Sequence, residues 1–314
     1  MSLNGKKIVV TGGSGFLGSR IVKMLQDKGI KDIVIPRSST CDLRIAENCA
    51  RITKGVDIVF HAAGNVGGIG YNKEHPGSVF YDNIMMDTLM MEESRKNNVK
   101  KFIAVGTVCS YPKFAAVPFL EEQIWEGYPE ETNASYGLSK KMLIVQSEAY
   151  HQQYNFKSIV LIQTNLYGPD DNFDPNTSHV IPSLIKKIHE AKILNQSEIE
   201  LWGDGSPSRD FLYVDDAARA AILAAEKYEK TEPINIGSGK EITIRELANL
   251  IIKLMNADLK IRWNTQKPNG QPRRCLNIDK VKREIGFIPS VSIEEGLKKT
   301  IEWYEEQQKR NQQS

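Results

Sequence analysis

Tyr136 and Lys140 stand four residues apart in a stretch with helical patterning, so both side chains emerge on one face. A phenol releases its proton near pH 10, and a neighbouring ammonium draws that value down. The spacing therefore predicts a tyrosine that gives and takes a proton near neutrality. Thr107 follows the apolar run Phe102-Ile103-Ala104-Val105, and its hydroxyl can hydrogen-bond a carbonyl oxygen that Tyr136 would protonate. Alone, a tyrosine and lysine at this spacing suit any solvated helix, and Thr107 suits any strand end. What lies upstream decides between these readings.

Thr11-Gly12-Gly13-Ser14-Gly15-Phe16-Leu17-Gly18 joins the short apolar run Ile8-Val9-Val10 to a helical pattern through Ile21, Val22, Met24 and Leu25. Glycines at 12, 15 and 18 permit a tight turn, close backbone approach and helix N-terminal amides open to a pyrophosphate. A strand, such a turn and then a helix predict a dinucleotide site. The second strand ends in Pro36-Arg37-Ser38-Ser39, where an acidic residue would bind a ribose 2′-hydroxyl. A guanidinium and two hydroxyls suit a 2′-phosphate, which favours NADP(H), although Arg37 also suits a solvated loop. Asp42-Leu43 could edge the adenine, with a plain loop carboxylate as the alternative. Ala62, Ala63 and Gly64 end the third strand and are small enough for a cofactor to lie on the backbone; His61 could be a hydrogen-bonded core residue. With such a cofactor present, Lys140 could hold the nicotinamide ribose.

Strands around 8–10, 33–35, 56–60, 102–105 and 159–162 alternate with helical stretches, notably 76–96 and 136–154. Strands apolar along their whole length belong in a parallel sheet buried on both faces. The expected fold is α/β: a Rossmann-like doubly wound parallel sheet with a smaller, discontinuous α/β substrate-binding domain. Residues 1–168 form the first unit, with a returning segment near 213–238; residues 169–212 and 239–314 form the second. The 314 residues carry a net charge of +2, which gives no field for a nucleic acid partner. No apolar run approaches a bilayer span. Cys41, Cys49, Cys109 and Cys275 show no metal-binding spacing and read as reduced thiols of a cytoplasmic protein.

The Gly-rich turn with Thr107, Tyr136 and Lys140 resembles the extended short-chain dehydrogenase/reductases. Further segments narrow the resemblance to the GDP-L-fucose synthase family. They are Asn65-Val66-Gly67-Gly68-Ile69, Val108-Cys109-Ser110-Tyr111-Pro112-Lys113, Glu131-Thr132-Asn133-Ala134-Ser135-Tyr136, Thr164-Asn165-Leu166-Tyr167-Gly168-Pro169 and Asp171-Asn172-Phe173. Ser178-His179-Val180-Ile181-Pro182, Trp202-Gly203, Arg209-Asp210-Phe211-Leu212 and Lys267-Pro268-Asn269-Gly270 extend it over nearly the whole chain. The resemblance implies NADPH-dependent conversion of GDP-4-keto-6-deoxy-D-mannose to GDP-L-fucose, by epimerisation at C3 and C5 and then reduction at C4. Both epimerised carbons flank the C4 ketone, which acidifies their protons, so epimerisation must come first. Tyr136 and Thr107 can serve the same oxygen in both stages.

The resemblance implies further roles. Cys109 and His179 would form the epimerisation pair; in an extended segment, Cys109 would share a side with Thr107. Asn165, Leu166 and His179 would border the cofactor. Asn165, Lys187, Trp202, Arg209 and Arg273 would bind the GDP-linked 4-keto-6-deoxy sugar. A homodimer through two helices is also implied. The chain departs from the family in having Thr107 for a common Ser, Lys187 for a usual Arg and Ser14 where some members have Arg. A GDP-colitose-type synthase, a nucleotide-sugar 4-epimerase with bound NAD and a cofactor-binding sensor are the competing readings.

Overall fold

The computed structural model describes residues 1–313 apart from 176 and 268, with backbone alone at 69, 312 and 313. Pro268, part of one motif above, thus lies outside the described residues. The strands that build the main sheet are β1 (Ile8–Thr11), β2 (Ile33–Val34), β3 (Ile58–His61), β4 (Lys101–Thr107) and β5 (Ser158–Gln163). Between them run α1 (Phe16–Asp27), α2 (Ala46–Thr53), α3 (Ile69–Glu74), α4 (Pro76–Lys96) and α5 (Ala134–Tyr154). The chain continues through β6 (Asn165–Tyr167), α6 (Val180–Ile193), β7 (Glu198–Trp202), β8 (Ser208–Tyr213), α7 (Val214–Lys227) and β9 (Ile234–Ile236). It ends with β10 (Glu241–Thr243), α8 (Ile244–Leu254), β11 (Lys260–Asn264), β12 (Arg273–Arg274), α9 (Asp279–Ile285) and α10 (Ile293–Gln313).

The main sheet is parallel throughout, in the order β2-β1-β3-β4-β5-β9. β1, β3 and β5 are buried at every residue, as strands covered on both faces must be. The chain leaves β1 toward β2 and then returns to β3 on the other side. That reversal opens a crevice at the carboxyl ends of β1 and β3, the place where open α/β sheets take ligands. α7 lines the sheet with Ala217, Ala218, Ala220, Ala221, Ala224 and Ala225, small enough for a close approach to α1.

A second core lies beyond β6. α6 buries Ile181, Leu184, Ile185 and Ile188, a stripe at helical spacing, against Leu247 and Ile251 of α8, Leu297 and Ile301 of α10, and Ile199 and Leu201 of β7. α8 starts on a capping box between Thr243 and Glu246. β8 pairs with β6, β10 and β12, and β7 with β11. Within the stretch expected as 239–314, residues Leu276, Ile278, Val281, Ile285 and Phe287 pack instead into the larger core, because α9 lies against β9 and α7.

Candidate active site

The turn after β1 is a cradle that only glycine can form. Gly12 has φ 66°, and a Cβ there would lie 2.8 Å from the backbone of Ala62 and Ala63. A Cβ on Gly18 would lie 2.1 Å from the Gly12 carbonyl oxygen. Gly13 is buried, Ser14 and Gly15 are exposed, and no side chain caps α1. The first-turn amides of Phe16, Leu17 and Gly18 therefore have no intrahelical acceptor and face the crevice between β1 and β3. Arg37 is exposed after β2; its carbonyl accepts from the Thr40 and Cys41 amides, and its guanidinium has no hydrogen-bond or ion-pair partner among the described residues. These features fit a dinucleotide with an added phosphate.

The Asp42 carboxylate, expected near the adenine, is already engaged. Arg44 binds it at 2.7 Å, holding its carboxyl below the usual range, and also reaches Asp82 at 2.8 Å. Leu43 is buried in the core, and Gly64 approaches both Asn83 and the Lys140 ammonium.

Lys140 does not do what its spacing suggested. Its Nζ donates to Asp87 Oδ1 of α4 at 2.9 Å, with both side chains at most 3% exposed. His61 Nε2 meets the same oxygen at 2.8 Å, and His61 Nδ1 meets Thr11 Oγ1 at 2.7 Å. Burial lowers the His61 pKa, so the ring is neutral. Its partners set the tautomer: Nε2 donates to the carboxylate, and Nδ1 accepts from the threonine hydroxyl. A buried chain Lys140–Asp87–His61–Thr11 thus runs from the reactive helix to the cofactor turn. Tyr136 responds to the carboxylate rather than to the ammonium. Burial, then Cys109 and then Asp87 push its pKa up, and hydrogen bonding with Thr107 opposes them weakly. The depression expected from Lys140 does not appear: its ammonium is directed at Asp87 instead. These influences favour the protonated form of Tyr136, which can donate a hydrogen bond.

The Val108–Ser110 segment is not extended but a 3₁₀ turn, capped by the Thr107 hydroxyl accepting from the Cys109 amide at 3.2 Å. Cys109 is therefore turned relative to Thr107 by the helix, not by strand alternation. Gly137, next to Tyr136, lets α5 close onto this turn; a Cβ there would lie 2.2 Å from the Cys109 carbonyl oxygen. Ser110 Oγ donates to the Gly137 carbonyl at 2.9 Å and fixes the contact.

Arg274 Nη1 donates to Cys109 Sγ at 3.5 Å, while Gln271 accepts from its other guanidinium nitrogens. Arg209 is close enough to Arg274 and Cys109 to feel both. Burial and the second guanidinium lower its pKa to about 10. Two adjacent cations beside a thiol, Arg274 buried and Arg209 half-buried, suit an anion. Arg273 points elsewhere: its guanidinium forks onto Glu241 and is 59% exposed. In β12 successive side chains alternate, so one arginine faces solvent and the other the cleft.

Asn165 Nδ2 donates to the Asp210 carbonyl, as does Thr164 Oγ1, tying β6 to β8; Leu166 is half-buried beside them. Lys187 Nζ donates to the Glu200 carbonyl at 3.0 Å. Trp202, 64% exposed at the end of β7, carries the Lys267 ammonium over its ring. His179 is the N-cap residue of α6. The segment before it is docked by Gly68, whose amide donates to the Thr177 carbonyl at 3.0 Å. The side chain is exposed at the surface of the cleft, yet the protein around it partly desolvates it and lowers its pKa, which favours a neutral imidazole able to accept a proton. No hydrogen bond joins His179 to Cys109 among the described residues.

Spacing did not reveal Asp87, His61 as a link, or Arg274. The one available signal was an acid inside the apolar stretch Ile84-Met85-Met86-Asp87-Thr88-Leu89-Met90-Met91.

A parallel sheet with a glycine cradle at its switch point, and Thr107, Tyr136 and Lys140 at the carboxyl edge of β4, define an extended short-chain dehydrogenase/reductase. The model of the NAD dependent epimerase/dehydratase family matches residues 8–237. GDP-L-fucose synthase 1 of Arabidopsis thaliana is 38% identical over 307 residues, covering 97% of this chain and 94% of that protein. A GDP-L-fucose synthetase of Naegleria fowleri, solved bound to NADP, superposes with a TM-score of 0.90 at 28% identity, covering 98% of this chain and 95% of its own. A GDP-6-OMe-4-keto-L-xylo-heptose reductase from C. jejuni gives 0.91 at 27% identity, covering 98% and 99%. The chain belongs to the NAD dependent epimerase/dehydratase family and is similar along nearly its whole length to GDP-L-fucose synthases.

Proposed function

We propose that this chain is an NADP-dependent enzyme that converts GDP-4-keto-6-deoxy-D-mannose to GDP-L-fucose. The observation that carries the reading is the meeting of Thr107, protonated Tyr136, Cys109 and Arg274 at one sheet edge, in a chain so similar to GDP-L-fucose synthases. The glycine turn, Arg37 and Lys140 would hold NADPH, with Asn165 and Leu166 bordering its far end. When bound, it supplies the hydride for C4.

Thr107 and Tyr136 hydrogen-bond the substrate's O4. Polarised in this way, O4 carries the negative charge that develops when a proton leaves C3 or C5. Cys109 and the neutral His179 exchange those protons on opposite ring faces, which inverts each centre. Arg209 and Arg274 offset the substrate's phosphate charge, with Lys187 and Trp202 at the outer rim. Tyr136 transfers its proton to O4 only when C4 is reduced.

The smaller unit, residues 169–212 and 239–314 without the α9 stretch, binds the nucleotide sugar. We infer a homodimer through α4 and α5, a reading supported by these adjacent long helices leaving Phe80, Tyr81, Met142 and Val145 exposed. Among the described residues no helix is long and apolar enough to cross a membrane, and three of the four free cysteines are buried, which suits a cytoplasmic enzyme.

The test is turnover of the GDP-linked 4-keto sugar with NADPH in heavy water. NMR of the product should show GDP-L-fucose with deuterium at C3 and C5. Product lacking deuterium at both carbons would refute the epimerase half, and no NADPH consumption would refute the whole.

A further inference from the structure

Gln163 ends β5 and is 4% exposed. Its partner on β4 is Thr107, and its partner on β9 is Ile236. Residues paired across a parallel ladder project to the same face, so Gln163 shares the side of the sheet that Thr107 uses. Both amide atoms, Oε1 and Nε2, are buried with no hydrogen-bond partner among the described residues. The other orphaned buried side-chain groups among the described residues are single atoms; here a donor and an acceptor are unpaired on one side chain. Native interiors seldom leave even one such atom unmatched, and a missing ligand is one cause.

We propose that Gln163 recognises the carboxamide of the nicotinamide ring, an inference that rests on the NADP reading above. A primary amide has one donor edge and one acceptor edge. A second primary amide, laid antiparallel, satisfies both at once. Thr107 and Tyr136 take the substrate oxygen, so the ring that reduces C4 must lie over the carboxyl ends of β4 and β5, where Gln163 sits. Lys140, on the β3 side beside Gly64, is left for the ribose. Gln163 then acts as a positioning residue: it sets which ring face meets C4 and takes no part in bond making.

The test measures binding by calorimetry, without turnover. The ligands are NADP⁺, its 3-acetylpyridine analogue, which lacks the amide N–H, and adenosine 2′,5′-bisphosphate, which lacks the ring altogether. The wild-type protein should bind the analogue about 3- to 10-fold more weakly than NADP⁺, the loss of one neutral hydrogen bond. Gln163→Met should bind NADP⁺ about 10-fold more weakly and no longer distinguish the two, while keeping its affinity for the bisphosphate. Equal wild-type affinity for NADP⁺ and the analogue would overturn the proposal, and so would a Gln163→Met protein that still distinguishes them. Weakened GDP binding with unchanged NADP⁺ binding would assign the amide to the substrate and also overturn it. Should the variant fail to fold, the wild-type ratio decides. A wild-type protein that binds neither NADP⁺ nor the bisphosphate refutes the cofactor reading itself, a separate result.

Discussion

Asp87→Asn tests whether the buried chain behind Lys140 positions that lysine. In the folded protein one oxygen of Asp87 accepts from Lys140 at 2.9 Å and from His61 at 2.8 Å. The substitution preserves shape and one acceptor but removes the charge. A hydrogen bond to a charged group is worth about 1.5–3 kcal/mol and a neutral one about 0.5–1.5 kcal/mol. Removing one member of a buried pair costs about 3–5 kcal/mol, because the other charge stays behind. Retaining an acceptor softens this, so a loss of about 2–3 kcal/mol is expected. In a chain of this size that lowers the melting temperature by roughly 3–5 °C. Function should change with pH. Without a counter-charge, burial penalises the Lys140 ammonium. The variant should then lose NADPH affinity as pH rises from 7 to 9, by about tenfold more than the wild-type protein over the same range. Asp87 also raises the Tyr136 pKa, so the variant's tyrosine should titrate lower. The assay is KM for NADPH and kcat from pH 6 to 9, with calorimetric melting. An Asp87→Asn enzyme with wild-type melting and an unchanged alkaline limb would refute the positioning role.

Tyr136→Phe removes the proton donor and should lower kcat for NADPH oxidation by about 10²–10⁴, with KM for the sugar little changed. Arg274→Met should slow deuterium uptake at C3 and C5 by at least about tenfold in NMR exchange without NADPH, whereas Arg273→Met should stay within about twofold. The reverse order would return the substrate role to Arg273. Asp171 has its pKa raised to about 7 by burial, and one carboxylate oxygen has no partner. A raised acid favours folding below its unfolded pKa near 4, and that contribution is lost as pH rises through about 7. Asp171→Asn should therefore gain stability relative to wild type at pH 8, by about 1–4 kcal/mol in denaturant melts, and gain nothing at pH 4. An equal difference at both pH values would assign the effect to packing.

Local rules made half of this site legible. The Gly12–Gly18 turn follows from a strand, three glycines and an apolar helix, because backbone conformation is a near-neighbour property. Tyr136 and Lys140 share a helix face for the same reason. The other half depends on what the fold carries to that face from elsewhere. Lys140 looked free to act on Tyr136 until α4 brought Asp87 against it, and nothing in the spacing of 136 and 140 encodes α4. Arg273 and Arg274 are adjacent cations of equal chemistry in sequence. Only the register of β12 on β8 decides which one meets Cys109. Cys109 itself left the extended path because the Thr107 hydroxyl caps a turn there, a competition between side chain and strand that residue types alone do not resolve.

The correction to Tyr136 alters the chemistry in a way that suits two successive reactions. A tyrosine with a depressed pKa would be ionised for part of the time and would then repel the charge that gathers on O4 during epimerisation. In the proposed reaction, a tyrosine held toward its protonated form by burial, Cys109 and Asp87 would donate a hydrogen bond to that oxygen during epimerisation. It would give up the proton only when O4 becomes an alkoxide, whose proton affinity far exceeds that of an enolate. A raised pKa would then separate the stages without a conformational switch: stabilisation while C3 and C5 invert, and transfer once C4 is reduced. Asp87 bears on both groups, accepting from Lys140 and raising Tyr136. For this reason a carboxylate that touches neither the tyrosine nor the substrate oxygen should govern the pH range over which the sequence of reactions completes.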